Sequence, residues 1–165
     1  MVIRNWQVLC LVMIFVFSDG MLATAVFSRD ASPAQVIFAR KSNERELGGA
    51  YSELKDELKK KKPMQFLVGE YAGQILIWGQ DQAHWYPDGS GPASGEDTNA
   101  KAEIWTEREE FDALYAAFLV EAEKLYELVD AKDSEALARQ LDNTGKTCIA
   151  CHERYKTRDE FEFTF

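Results

Sequence analysis

The feature that most constrains this chain is a pentapeptide near its C-terminal end, Cys148-Ile149-Ala150-Cys151-His152. On a helix, positions three and four residues apart lie on one face, so both thiols and the imidazole would point to the same side. Cys-x-x-Cys-His is the signature of covalent c-type haem attachment. The motif therefore predicts one haem c, bonded to Cys148 and Cys151, with His152 as an axial ligand of the iron.

Two other uses of these residues remain open. The two cysteines could form a disulfide in an oxidising compartment, which would make a haem-free thiol–disulfide protein with His152 as a bystander. They could also supply half of a zinc site, but a closed zinc site needs four ligands. The only other histidine is His84, and the third cysteine, Cys10, lies in the N-terminal segment.

That N-terminal segment has the pattern of a secretory signal. Arg4 gives it a positive start, residues 8–17 form an apolar run too short to span a bilayer, and Ala23-Thr24-Ala25 fits a cleavage site. We therefore expect a signal peptide over residues 1–25 and one mature domain over residues 26–165. The expected location is the periplasm, with no membrane attachment after cleavage.

The charge of the chain limits its partners. The net charge is −9, and residues 1–25 leave it unchanged because they hold one cation, Arg4, and one anion, Asp19. Nucleic-acid phosphates are bound by Lys and Arg, so we expect no nucleic-acid partner. An acidic surface suits a basic redox protein as a partner, or it serves solubility alone.

Apolar periodicity predicts helices through most of the mature chain. The first helix should begin at the capping box Ser32-Pro33-Ala34-Gln35 and run to the basic cluster at residues 59–62, before Pro63. A second helix, interrupted by glycines, is predicted over residues 65–85. Residues 86–100 are rich in Gly and Pro and are predicted to form a loop.

Two further helices follow that loop. The third should begin at a capping box that starts at Thr106 and should present one apolar face as far as Val129. The fourth should begin at Asp133 or Ser134 and run through Tyr155, which places the cysteine motif on its core-facing side. Four antiparallel helices with short connections predict an all-α, up-down-up-down four-helix bundle.

Several features in this order make the chain resemble the cytochrome c prime family, the class II c-type cytochromes. CIACHERYK lies at the C-terminal end, AEIWTEREEF follows a loop that begins WYPDGSGP, and the first helix carries Arg40 and Leu47-Gly48-Gly49. The resemblance covers residues 33–156. It implies a bundle around one covalent haem with a single axial histidine, a homodimer through the first two helices, and no catalytic turnover.

The resemblance also implies roles for individual residues. Arg40 matches an arginine that commonly meets a haem propionate, and Lys156 matches a basic residue near the haem face that carries His152. The opposite, distal position falls on Glu44, where open-site members carry a bulky apolar residue and low-spin members carry Met. Glu44 could line the distal pocket, pair with Arg40, ligate the iron or point to solvent.

These observations favour two functions for a haem protein. One is the binding of small diatomic gases, NO or CO, at an open distal site, and the other is electron transfer with a redox protein. A hard carboxylate is a poor ligand for ferrous iron, so Glu44 argues against a fast low-spin electron carrier. The aromatic residues are expected to pack around the haem, namely Trp78, Trp85, Tyr86, Trp105 and Tyr155.

Overall fold

The computed structural model describes residues 31–157, which are mostly helical. The helices are α1 (Pro33–Leu58), α2 (Gln65–Asp81), α3 (Glu103–Thr106), α4 (Arg108–Glu127) and α5 (Ser134–Tyr155). Short 3-10 turns occupy Gln82–His84, Pro92–Ser94 and Val129–Ala131. The signal peptide expected over residues 1–25 lies outside the described residues, as does the tail after Thr157. Within the described range, no helix has the length and apolar character needed to cross a membrane.

The four long helices form the predicted bundle. α1 packs against α2 and α5, and α4 packs against the same two helices, which gives a four-membered ring of neighbours. Apolar residues at helical spacing on each helix meet in a principal core. It consists of Ala50, Tyr51, Leu54, Val68, Ala72, Ile75, Phe118, Ala122, Leu125, Leu137 and Leu141. The all-α, up-down-up-down architecture is thereby confirmed.

A second group of buried residues, the aromatic cluster, joins the long loop to α3, α4 and α5. Its members are Trp85, Tyr86, Ile104, Phe111 and Tyr155. The Phe111 ring stands edge-on to both tyrosines, with centroid distances of 5.0 Å to Tyr86 and 5.4 Å to Tyr155. Such aromatic pairs add stability beyond the area that they bury. The cluster therefore holds the loop against the end of the helix that carries the cysteine motif.

Local signals were sufficient to predict the start of α1 but not its end. The predicted capping box forms at its start, where the Ser32 hydroxyl accepts from the Gln35 N–H and the Gln35 side chain accepts from the Ser32 N–H. The helix ends at Leu58, before the predicted basic cluster. The buried Glu57 carboxylate accepts from the Met64 N–H at 2.8 Å and from the Lys60 ammonium at 2.5 Å, which closes the turn early.

The predicted capping box at Thr106 is wrong. Thr106 is the last residue of α3, and α4 begins at Arg108 without a side-chain cap from Glu107. Ile104 is buried in the aromatic cluster, and the Trp105 indole N–H donates to the Pro87 carbonyl at 3.1 Å. These contacts with the loop hold residues 103–106 in a separate helical turn. α4 therefore begins after Thr106, the residue that was predicted to cap it.

The remaining boundaries differ little from expectation. α2 ends at Asp81 and α4 ends at Glu127, and each is followed by a 3-10 turn that occupies part of the predicted helix. α5 begins at Ser134 as predicted, because the Asp133 carboxylate accepts from the first free backbone N–H groups.

Candidate functional site

The last turns of α5 carry both cysteines as free thiols. Cys148 packs against the principal core and Cys151 against the aromatic cluster, and both are half-buried. Burial raises the pKa of Cys148 to about 12 and the pKa of Cys151 to about 11. Because the thiolate is the form that attacks a disulfide, the raised pKa values make this pair poorly suited to thiol–disulfide exchange.

His152 is exposed, although the whole motif was predicted to lie on the core-facing side. Consecutive residues of an α-helix diverge by about 100° around its axis. Cys151 packs against the aromatic cluster, and the next residue, His152, therefore projects from the helix in a different direction. Within residues 31–157, no group of three or more His, Cys, Asp or Glu side chains is arranged to hold a metal ion. The described residues thus lack the ligands of a closed zinc site.

α1 approaches α5 closely just before the motif. Gly145 is buried, and a Cβ atom at this position would overlap the phenol of Tyr51. The Tyr51 hydroxyl donates to the Leu141 carbonyl at 3.3 Å. One turn earlier on α1, Leu47 packs against both apolar groups that receive the two cysteines. This packing sets α1 beside the half of α5 that carries the motif.

Glu44 lies on α1, three residues before Leu47, and accepts a hydrogen bond from the Tyr86 hydroxyl at 2.6 Å. Desolvation is the main cause that raises the pKa of Glu44, and it is opposed by the phenol and by the charges of Arg40 and Lys156. The side chain nevertheless remains exposed to solvent. A group that is accessible to water, yet desolvated by the protein around it, stands in a recess.

Electrostatic interactions connect this recess to the cysteine motif. Burial is the main cause that raises the pKa of Cys151, and the negative charge of the Glu44 carboxylate is the second cause. Burial and the same carboxylate hold the pKa of Tyr86 well above its usual value, with a smaller effect from Cys151. We call this site the α1–α5 recess and define it by Glu44, Leu47, Tyr86, Cys148 and Cys151.

Arg40 is buried beside the recess, with 2% of its surface exposed. Its guanidinium donates to the Trp85 carbonyl, to both oxygens of Ser90 and to the Thr98 hydroxyl, at 2.8–3.4 Å. The group also lies over the Tyr86 ring, 4.8 Å from its centroid. Burial is the main cause that lowers the pKa of Arg40. Arg40 thus anchors the loop to α1, and its contact with a propionate stays a prediction.

Lys156 follows α5 and is half-buried. It pairs with Ala100 in an isolated antiparallel bridge, and the next residue, Thr157, donates its N–H to the Asn99 carbonyl at 2.8 Å. The backbone after the motif is therefore tied to the end of the long loop. This tie holds the Lys156 charge near Glu44, whose pKa it lowers.

The structure adds three residues that were not identified as site residues from the sequence. Tyr86 was expected only to pack, and Ser90 and Thr98 were read as parts of a loop. The Tyr86–Glu44 bond joins positions 42 residues apart, which no local pattern reveals. The aromatic start of the segment WYPDGSGP was the available signal, because a buried Tyr needs a partner for its hydroxyl.

The chain matches known proteins over most of its length. The model of a family described as cytochrome C' matches residues 35–156. A cytochrome c' from Pararhodospirillum photometricum is 26% identical over 126 residues, which cover 76% of this chain and 99% of that protein.

Solved structures share the fold. The nitric oxide complex of a mutant of cytochrome c prime from Alcaligenes xylosoxidans aligns with a TM-score of 0.70 at 21% identity, over 78% of this chain and 98% of that one. A cytochrome c' described as having an unusual ligand-controlled dimer dissociation aligns with a TM-score of 0.72 at 22% identity, also over 78% and 98%.

Proposed function

Because this chain belongs to the cytochrome c' family, whose members carry a covalent haem c, we propose that it is a periplasmic protein that binds diatomic gases at its haem. In this proposal Cys148 and Cys151 bond the haem and His152 is its single axial ligand. The periplasmic location rests on the secretory pattern of residues 1–25. The observation that carries the proposal is the pair of half-buried free thiols at the α1–α5 recess.

The residues at the recess fit a haem. Cys148 and Cys151 lie three positions apart on α5, so both thiols are available on one side of the helix for two thioether bonds. Leu47 and Trp78 add half-buried apolar surface to the clusters that receive the two cysteines, which suits a flat apolar ring. The exposed imidazole of His152 follows directly in the chain. When bound, the haem supplies an iron centre that takes a gas ligand and changes oxidation state.

Gas binding needs an iron face without a strong protein ligand. Glu44 is the residue at the distal position by resemblance, and its carboxylate is already hydrogen-bonded to Tyr86. A carboxylate is a poor ligand for ferrous iron, so we favour an open ferrous site. The nitric oxide complex of the Alcaligenes xylosoxidans protein is in line with this assignment.

Electron transfer is the second candidate function, and the net charge of −9 favours it through docking of a basic redox protein.

We also propose that the protein forms a homodimer through α1 and α2. Large apolar side chains are exposed on these two helices, namely Phe38 at 72%, Phe66 at 75% and Ile77 at 65%. The relative with ligand-controlled dimer dissociation supports it.

Absorption spectra of the purified protein test the proposed function. We expect haem bands in both oxidation states and a shift of the bands of the reduced protein when CO or NO is added. A His152→Ala variant should alter the bands in both states, whereas the matched change His84→Ala, at the other exposed histidine, should not. A reduced spectrum that CO leaves unchanged would contradict gas binding.

A further inference from the structure

The α1–α5 recess holds one acidic group among several cations. The charges of Arg40, Lys156 and Lys41 all favour the ionised form of Glu44. Two of these cations are held in place: Arg40 is buried under the loop, and Lys41 forms a 2.8 Å ion pair with Asp97. The Glu44 carboxylate therefore offsets part of this positive charge, and its removal would leave the side chains around the recess more positive.

Tyr86 holds the carboxylate in place. Its hydroxyl donates to Glu44 Oε1 at 2.6 Å, and the residue is 8% exposed. Phe111 packs edge-on to that ring, and the Arg40 guanidinium lies over its face. A ring packed on two sides is a rigid hydrogen-bond donor, because close-packed neighbours prevent it from moving. Glu44 therefore keeps its position although its side chain is solvent-accessible.

We propose that Glu44 makes the recess selective for uncharged ligands over small anions, with Tyr86 as the residue that positions it. The inference rests on the proposed function, since the ligands concerned are those that bind at the haem. A fixed negative charge in a partly desolvated site repels anions such as azide more strongly than it would in water. CO and NO carry no charge, so the same carboxylate does not oppose them.

Azide titrations of the oxidised holoprotein test the inference. Glu44→Gln removes the negative charge and keeps the size of the side chain, so the recess becomes more positive. We expect azide to bind this variant at least about tenfold more tightly than the wild type, which corresponds to about 1.4 kcal/mol. Tyr86→Phe should change azide binding in the same direction by a smaller factor, because the carboxylate is then free to turn towards solvent.

Glu46→Gln is the matched control, since Glu46 is an exposed residue of α1 whose loss changes the net charge equally. Azide binding should not change in this variant. The ratio of the azide affinity of the oxidised protein to the CO affinity of the reduced protein should rise in Glu44→Gln and keep its wild-type value in Glu46→Gln. If Glu44→Gln reduces haem content, Glu44→Ala is titrated as the second variant that lacks the charge.

Equal azide affinity in the wild type and in the variants that lack Glu44 would overturn the inference, as would an equal gain in Glu46→Gln. Failure of the proposed function looks different. In that case the reduced wild type does not bind CO, while the azide series on the oxidised protein still reports on the charge at Glu44.

Discussion

Gly145 shows how one residue sets the geometry of the recess. It lies on α5 three residues before Cys148, and the absence of a side chain lets the Tyr51 phenol pack directly on the helix. Tyr51 belongs to the principal core and donates to the Leu141 carbonyl. Any larger residue at this position would displace Tyr51, and with it the segment of α1 that carries Leu47 and Glu44.

Gly145→Ala should therefore destabilise the protein. Forcing an extra methyl group into a packed core costs about 1–3 kcal/mol, and urea denaturation would measure this loss in the free energy of unfolding. The matched control is Gly49→Ala on α1, where a Cβ would meet no atom within 4 Å. Since Gly in a helix interior costs about 0.5–1 kcal/mol relative to Ala, the control should be stabilised. Equal effects at the two glycines would contradict the packing described here.

The sequence predicts some residues of the candidate site and not others, for a physical reason. Cys148, Cys151 and His152 form a local motif whose spacing alone indicates their chemistry. Tyr86 is different, because it lies on the long loop and its role depends on a hydrogen bond to Glu44, which is distant in the sequence. Local patterns report neighbours along the chain, while such contacts appear only when the tertiary structure is formed.

At the scale of elements, the same capping signal succeeds at one helix and fails at another. Ser32 stands directly before α1, and its hydroxyl and the Gln35 side chain complete the predicted box. Thr106 is the last residue of α3, where burial of Ile104 and packing of Trp105 determine the backbone. A cap contributes about 1 kcal/mol, which the packing of two large side chains readily exceeds.

Replacing each predicted cap residue by Ala should affect the stability of the protein at Ser32 but not at Thr106. Ser32→Ala should lower the free energy of unfolding by about 1 kcal/mol, because a backbone N–H at the start of α1 loses its acceptor. Thr106→Ala should leave the stability nearly unchanged, since no side-chain cap is made there. Urea denaturation of both variants measures the difference, and a comparable loss at Thr106 would show that the box at α4 does form.

At the scale of the whole molecule, periodicity predicted the number, order and antiparallel packing of the long helices, because each apolar face needs a partner. It did not predict how residues 86–100 fold. Arg40, the aromatic cluster and the bridge between Ala100 and Lys156 join that segment to four helices, α1, α3, α4 and α5. These contacts turn an open bundle end into a recess with the motif of α5 on one side and Glu44 on the other.

The central claim is that Cys148 and Cys151 hold a haem covalently, and the intact mass of the denatured protein tests it most directly. We expect the mature polypeptide to carry the additional mass of one haem, and a variant with both cysteines replaced by Ala to have lost it. A wild-type mass equal to that of the bare polypeptide, or lower by two hydrogens as in a disulfide, would contradict the account.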